Sequence, residues 1–480
     1  MASSIHKHAA AALDPAPTEQ IQFQFISIQA PNDANDKTQR RRARSHAVKQ
    51  ALEKKRKQQQ KSQQNFRVTT STTTTTTSSA LKKKDDGETQ TQAHAQALFS
   101  PSAGKLDPFH SFAVDLTRLQ ILLGDYRARV APEPVFTITE ELAFQNFHSV
   151  FRTGFDDPAL LNAVMLSLAF AVTGGKVDGE CLRYQSQAIR YIRERIAEVR
   201  EVTSEATIGS ILLLAGVEAR LGMMAQVQMH MGAVQQLLKM CQAKGIFLTG
   251  GIKRAIFWQD LNSSILAGTN RVYSHTTFSE LQWIRDPFVP NFFRLPPGFS
   301  TRSSLFTPEF IEVLEDLHAL QCIREVPYYS KADIMLMMHV NNHTASIQSR
   351  LVGLPRSGIV QECCHLAAYH CSVMLCCHIW CALVIPSHIS AQLLHKLQQS
   401  SDDVIWDDHP ELLLWLLYVG GAFTSPGSVR SEYIALIRLN NGTRSRGLYE
   451  MWPELRELLE QFIWSEKAFL RAVKGLYMEV

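Results

Sequence analysis

The sequence predicts an all-α protein: a large helical domain preceded by a disordered N-terminal region that holds one basic helix. Three observations carry this. Hydrophobic residues make up 45 % of the 480 residues but are scarce in the first hundred and abundant afterwards, so the buried core must lie in the later part. From about Asp107 onward, apolar residues recur three and four apart, the spacing of one face of a helix. Few stretches alternate apolar and polar as strands do, and no repeat of 33 to 45 residues marks a simple solenoid.

Residues 1–36 are Ala-, Pro- and polar-rich, a composition that cannot bury enough apolar surface to fold. Within them Ile21 to Ile28 (IQFQFISI) alternates like a short strand or docking peptide, and Pro31 ends it. Residues 37–64 contain neither Gly nor Pro and are dominated by strong helix formers. Their apolar stripe, Ala43, Ala47, Ala51 and Leu52, is thin. Such a helix is marginal alone and firmer on an anionic surface. Residues 65–106 form a linker, with the low-complexity run Thr69 to Ser79 inside it.

Residues 107–480 are the predicted helical domain. Ile189, Ile192, Ile196 and Val199 form a stripe, with Arg190, Arg193, Glu194, Glu198 and Arg200 on a salt-laced outer face. Thr203-Ser204 caps the next helix, which carries Ile208, Ile211, Leu212 and Ala215. Val227, Met231, Val234, Leu238 and Cys241 make a third, stopped at Gly245. Pro453 suits a first turn, followed by the stripe Leu455, Leu458, Leu459 and Phe462.

The net charge of +4 conceals an asymmetry. Between Lys37 and Lys61 stand eleven Lys and Arg against one acid, Glu53, so the rest of the chain is net negative. A basic arm on an acidic body is the pattern of a nucleic-acid-binding or nuclear-targeted protein. Arg40, Arg41, Arg42, Arg44, His46, Lys49, Lys54, Lys55, Arg56 and Lys57 are the candidate site residues. Phosphates attract such a segment through Coulomb energy and counterion release. Two basic clusters, Arg41-Arg42 and Lys54 to Lys57, separated by eleven residues, also have the layout of a bipartite nuclear-import signal. Three readings stay open: a solvated helix, import alone, or import with DNA contact. No leucine heptads follow, so no zipper fixes a dimer register.

Six of nine cysteines fall between Cys363 and Cys381, interleaved with His365, His370 and His378. Structural zinc takes ligands that converge from turns, commonly as Cys-x2-Cys pairs. Here the pairs are adjacent residues in an apolar run, Leu366 to Pro386, without turn residues. The run therefore reads as a buried core helix rather than a metal site, a redox sensor or a membrane span. Met1 to Pro17 lacks an apolar signal-peptide core, and reduced thiols in an intracellular compartment are expected. No Gly-x-Ser-x-Gly elbow, phosphate-binding glycine loop or His-Glu-x-x-His helix is present. Asp260 is expected to pair with an Arg, such as Arg220 or Arg254, inside the domain rather than to act as a catalytic acid. Trp380, Trp406, Trp415, Trp452 and Trp464 are expected to pack. Catalytic residues, metal and cofactor are all read as none.

Several stretches resemble a known group. Phe23-Gln-Phe25, Arg44-Ser45-His46 and Lys54 to Lys57 resemble the N-terminal block of fungal transcription-factor-like proteins. Gly104 to Phe109, Tyr184 to Ile192 (YQSQAIRYI), His230-Met231-Gly232-Ala233, Phe257 to Leu261 (FWQDL), Leu412 to Gly421 (LLLWLLYVGG) and the Trp464 region resemble, in that order, landmarks of the fungal-specific transcription factor domain. The resemblance implies a helical regulatory domain that acts on transcription in the nucleus. Expected partners are an import receptor, other transcriptional regulators, DNA through the arm, and a second copy of the chain; a membrane is not expected. Many relatives read DNA through a six-cysteine zinc cluster. Here no cysteine precedes Cys181, so that module is not in this sequence. An adaptor that never touches DNA is the alternative.

Overall fold

A computed structural model describes residues 114–125, 127–128, 157–197, 203–327, 334–355, 357–376 and 384–480. All of them fall in the second of two units, Ala95–Val480. The basic arm, the linker and the opening motif Gly104 to Phe109 lie outside the described residues.

Among the described residues there are sixteen α-helices and no strand. The first six are α1 (Leu116–Gly124), α2 (Pro158–Val172), α3 (Gly179–Ala197), α4 (Glu205–Arg220), α5 (Met224–Ala243) and α6 (Gly250–Ala267). They share one apolar cluster, in which α2 packs on α3 and α4, and α4 on α5 and α6. After a long loop come α7 (Pro297–Ser300), α8 (Pro308–Glu325), α9 (Ile334–Gly353), α10 (Gly358–Leu375), α11 (Val384–Gln399), α12 (Ile405–Asp408), α13 (Pro410–Ala422), α14 (Ser428–Gly442), α15 (Trp452–Leu459) and α16 (Glu466–Tyr477). These build a second apolar cluster around α10 and α13.

Local chemistry sets the boundaries. The Ser204 hydroxyl accepts from Thr207 N–H and caps α4, as the sequence suggests. Asp157 and Thr249 cap α2 and α6 in the same way. Gly245 follows α5 with φ of +65°, a left-handed conformation that glycine adopts without a Cβ clash. Helices α2, α4 and α13 are buried on nearly every side, and mean hydropathy rather than amphipathic contrast marks them.

Three expectations need correction. The buried face of α3 is Cys181, Tyr184, Ala188 and Ile192; Ile189 is half-buried and Ile196 is 54 % exposed. The helix is turned so that Arg195 meets Asp157 at 2.7 Å, tying its end to the start of α2. Val199 lies outside the described residues. The Arg190–Glu194 pair at 3.7 Å does make the outer face salt-laced. Next, the cysteine-rich run is not one helix: α10 ends at Leu375, and Pro386 sits in the first turn of α11, where its missing N–H costs nothing. Finally, α15 ends at Leu459, so Phe462 is buried from the turn beyond it rather than from the helical stripe.

Candidate functional site

None of the candidate arm residues, from Arg40 to Lys57, lies among the described residues. Within the helical domain the polar groups concentrate between the two apolar clusters, on α6, on α9, and on the loop from Gly268 to Pro296 that crosses between them.

Helix α6 is central. Arg254, Gln259, Asp260, Asn262 and Ser263 are all buried on it, so each must find an internal partner or remain unsatisfied. The Asp260 carboxylate accepts from the backbone N–H of Val272 at 3.1 Å and of Tyr273 at 3.0 Å. Its charged partner is Arg271, at 3.6 Å. The partner is an arginine, as expected, but Arg271 rather than Arg220 or Arg254. The turn after Gly268 folds the loop back onto α6, a proximity that helical spacing does not reveal. Burial raises the Asp260 carboxyl above its ordinary range, against the lowering effect of the two backbone N–H groups and Arg271.

Arg271 then reaches across to α9, donating to the Ser349 hydroxyl at 2.9 Å, while the same hydroxyl accepts from His275 N–H at 3.2 Å. Arg254 goes elsewhere, to Asn341 Oδ1 at 2.9 Å, to Asn342 Oδ1 and to the Glu280 carbonyl. Asn342 returns two bonds to the loop, at the carbonyls of Glu280 and Gln282. At the next position of α9, the His343 ring stacks on Trp283, centroids 3.9 Å apart and nearly parallel. Asp316 of α8 is buried between Arg285 of the loop, at 2.7 Å, and Arg350 of α9. The loop is thus stitched to α9 along its length by charge-assisted bonds and one ring stack.

This chemistry is that of a clasp. The carboxylates of Asp260 and Asp316 are held by backbone N–H groups and guanidiniums, and among the described residues no nucleophile stands beside a free base. The closest approach to a dyad is Cys322 and His318 on α8, sulfur to ring nitrogen 3.7 Å. Burial pushes that thiol up and that imidazole down, the opposite of an activated pair. Among the described residues, no group of three or more His, Cys, Asp or Glu is placed to hold a metal, and no helix is long and apolar enough to cross a membrane.

The cysteine helix α10 is a core element. Cys363, Cys364, His370 and Cys371 are all buried. Burial pushes the Cys363 thiol up to about 12 and the His370 imidazole down to about 3. His370 has no hydrogen-bond partner and meets Phe423 edge-on at 5.2 Å. Cys377, His378, Trp380 and Cys381 lie outside the described residues. The remaining tryptophans pack: Trp415 donates to the Ile463 carbonyl, Trp406 to Ser400, and Trp464 to Glu466; Trp452 lies half-buried against Tyr477.

The landmark motifs acquire physical roles. His230 on α5 meets Glu218 on α4 at 3.0 Å, and Gln185 on α3 donates to the same carboxylate. In LLLWLLYVGG, Gly420 and Gly421 let the Tyr433 ring of α14 lie directly on α13. An alanine Cβ at Gly420 would stand 2.4 Å from the Tyr433 hydroxyl.

The described residues therefore form a helical bundle in which a buried polar loop joins two apolar clusters. The comparison with family models is more specific. The model of the fungal specific transcription factor domain matches residues 121–290, from within α1 to near the end of the loop. Residues 121–290 are thus similar to that domain, a likeness that points to transcription regulation. The match contains the YQSQAIRYI, His230 and FWQDL landmarks. No curated protein and no solved structure matches the chain.

Proposed function

We propose that this protein is a nuclear transcription regulator whose arm, Arg40 to Lys57, carries nuclear import and contacts DNA phosphates, while the helical domain binds other regulators. The observation that carries the reading is the match of residues 121–290 to the fungal specific transcription factor domain. The excess of ten positive charges between Lys37 and Lys61 supports it, because a cationic segment gains affinity for phosphate by releasing counterions.

Base readout needs side chains fixed in a groove. A single basic helix supplies affinity with little specificity. The lack of any cysteine before Cys181 favours a second reading, an adaptor that acts through protein partners alone. Binding of the full chain to duplex DNA at several salt concentrations separates the two. DNA contact gives log affinity falling linearly with log salt, by roughly 0.9 per phosphate, and a slope that shrinks when Arg40, Arg41, Arg42 and Arg44 become Ala. A flat or absent response, together with nuclear accumulation lost in the same variant, leaves the arm as an import signal and favours the adaptor.

A further inference from the structure

A cleft of about 420 Å³ opens where the end of α14, the loop that follows it and the end of α16 meet. This volume lies within the range of small-molecule pockets, roughly 300–1,000 Å³. Its walls include Tyr449, Tyr477 and Met478, and its polar groups are Asn441, Ser445 and Glu450. The Ser445 side chain is buried, and its hydroxyl has no hydrogen-bond partner. An unsatisfied buried hydroxyl is costly, of order 1–3 kcal/mol, unless something in the adjoining space completes it. Asn441 is held in place because its carbonyl oxygen accepts from the Tyr449 hydroxyl at 2.9 Å. Trp452 braces Tyr477 from behind, ring centroids 5.4 Å apart.

The charge is one-sided. Glu450 is the only ionisable acid or base side chain in the lining apart from the two phenols, and its carboxylate enters no ion pair among the described residues. Three neighbouring arginines are engaged elsewhere, while Arg446, between the lining residues Ser445 and Gly447, is exposed and enters no ion pair among the described residues. Arg438 donates to the carbonyls of Glu479 and Val480, Arg430 pairs with the Glu479 carboxylate, and Arg444 pairs with Asp407. A metal ion does not fit, because a single carboxylate is too few hard ligands for one.

We infer that this cleft binds a small organic ammonium compound, its cationic nitrogen between Glu450 and the Tyr449 and Tyr477 rings, and its hydrogen-bonding tail toward Asn441 and Ser445. A carboxylate gives a charge-assisted bond, and an aromatic face attracts the same cation. The inference goes beyond the regulatory role proposed above and does not depend on the arm.

Calorimetric titration of the full chain tests it, with ethanolamine, putrescine and choline as probes and ethylene glycol as the uncharged control. At least one ammonium probe should saturate with Kd below about 1 mM, while ethylene glycol gives no saturable heat. Glu450 is exposed, so Glu450→Gln leaves the fold intact and should weaken binding at least about tenfold. Ser445→Ala should weaken it less. Saturation by none of the three ammonium probes overturns the inference, as does an affinity that Glu450→Gln leaves unchanged.

Discussion

Gly420 shows how a single side chain, or its absence, fixes the packing of two helices. The Tyr433 hydroxyl donates to the Ser390 carbonyl at 2.8 Å, and the Ser390 hydroxyl donates to the Gly420 carbonyl at 2.5 Å. The tyrosine is therefore held from one side and cannot retreat when a methyl group is placed on the other. Gly420→Ala is expected to destabilise the domain by about 1–3 kcal/mol, as overpacking of a close-packed interior does. Urea unfolding followed by circular dichroism measures this, and an unchanged midpoint would refute the account. The two glycines were visible in the sequence as part of a landmark, but the reason for them was not, because Tyr433 lies thirteen residues away on another helix. Asp260 teaches the same lesson. Its burial in an ion pair was legible from its place in a helical stretch. Its partner, Arg271, was not, because only the folded turn beyond Gly268 brings the two together.

At the scale of elements, caps and stripes were the legible part. Ser204, Gly245 and Pro453 stand where short-range chemistry puts them. The rotation of α3 was not legible: two overlapping stripes share Ile192, and a tertiary pair, Arg195 with Asp157, decides between them. Helix α10 was read correctly as core but assigned the wrong extent, because an apolar run carries no mark of where one helix ends and the next begins. Its burial has a chemical consequence. The thiols of Cys363, Cys364 and Cys371 are pushed up by desolvation, so almost none is thiolate at neutral pH. Mass spectrometry after brief iodoacetamide treatment should find these three unmodified in the native protein and fully alkylated in urea. Rapid native labelling of any of them would contradict the packing described.

Among the described residues, desolvation acts on histidines that range from fully buried, as His343 and His370, to exposed, as His339. His275, His318, His339, His343, His370 and His388 all have their imidazoles shifted down, with desolvation the leading cause in each. In the unfolded chain each takes up a proton near its ordinary value of about 6.5. The unfolded state then binds more protons than the native one, so stability falls as pH drops from about 7 toward 5. The contribution is full above about 6.5 and is lost progressively below it. Asp260 and Asp316, shifted up by burial, act in the opposite direction, but near the carboxylate range at lower pH. Chemical unfolding at pH 7.5 and 5.5 should show the loss, and His370→Phe should reduce the difference between the two. Equal stability at both values would exclude the scheme.

The loop from Gly268 to Pro296 bears on where this protein can be divided. The family match stops at Pro290, inside that loop, and the residues it includes contribute Arg254, Arg271, Trp283 and Arg285 to bonds whose other halves stand on α8 and α9. A fragment cut at the edge of the recognised segment would sever this seam: Arg285 would lose its acceptors, Arg254 and Arg271 would lose those on α9, and Trp283 would lose its stacked ring. The border drawn by sequence likeness is therefore not a border along which the chain can fold. Expression of residues 121–290 alone should yield aggregated material, whereas extension through Tyr477, which restores α8 and α9 to the clasp, should yield a soluble helical protein.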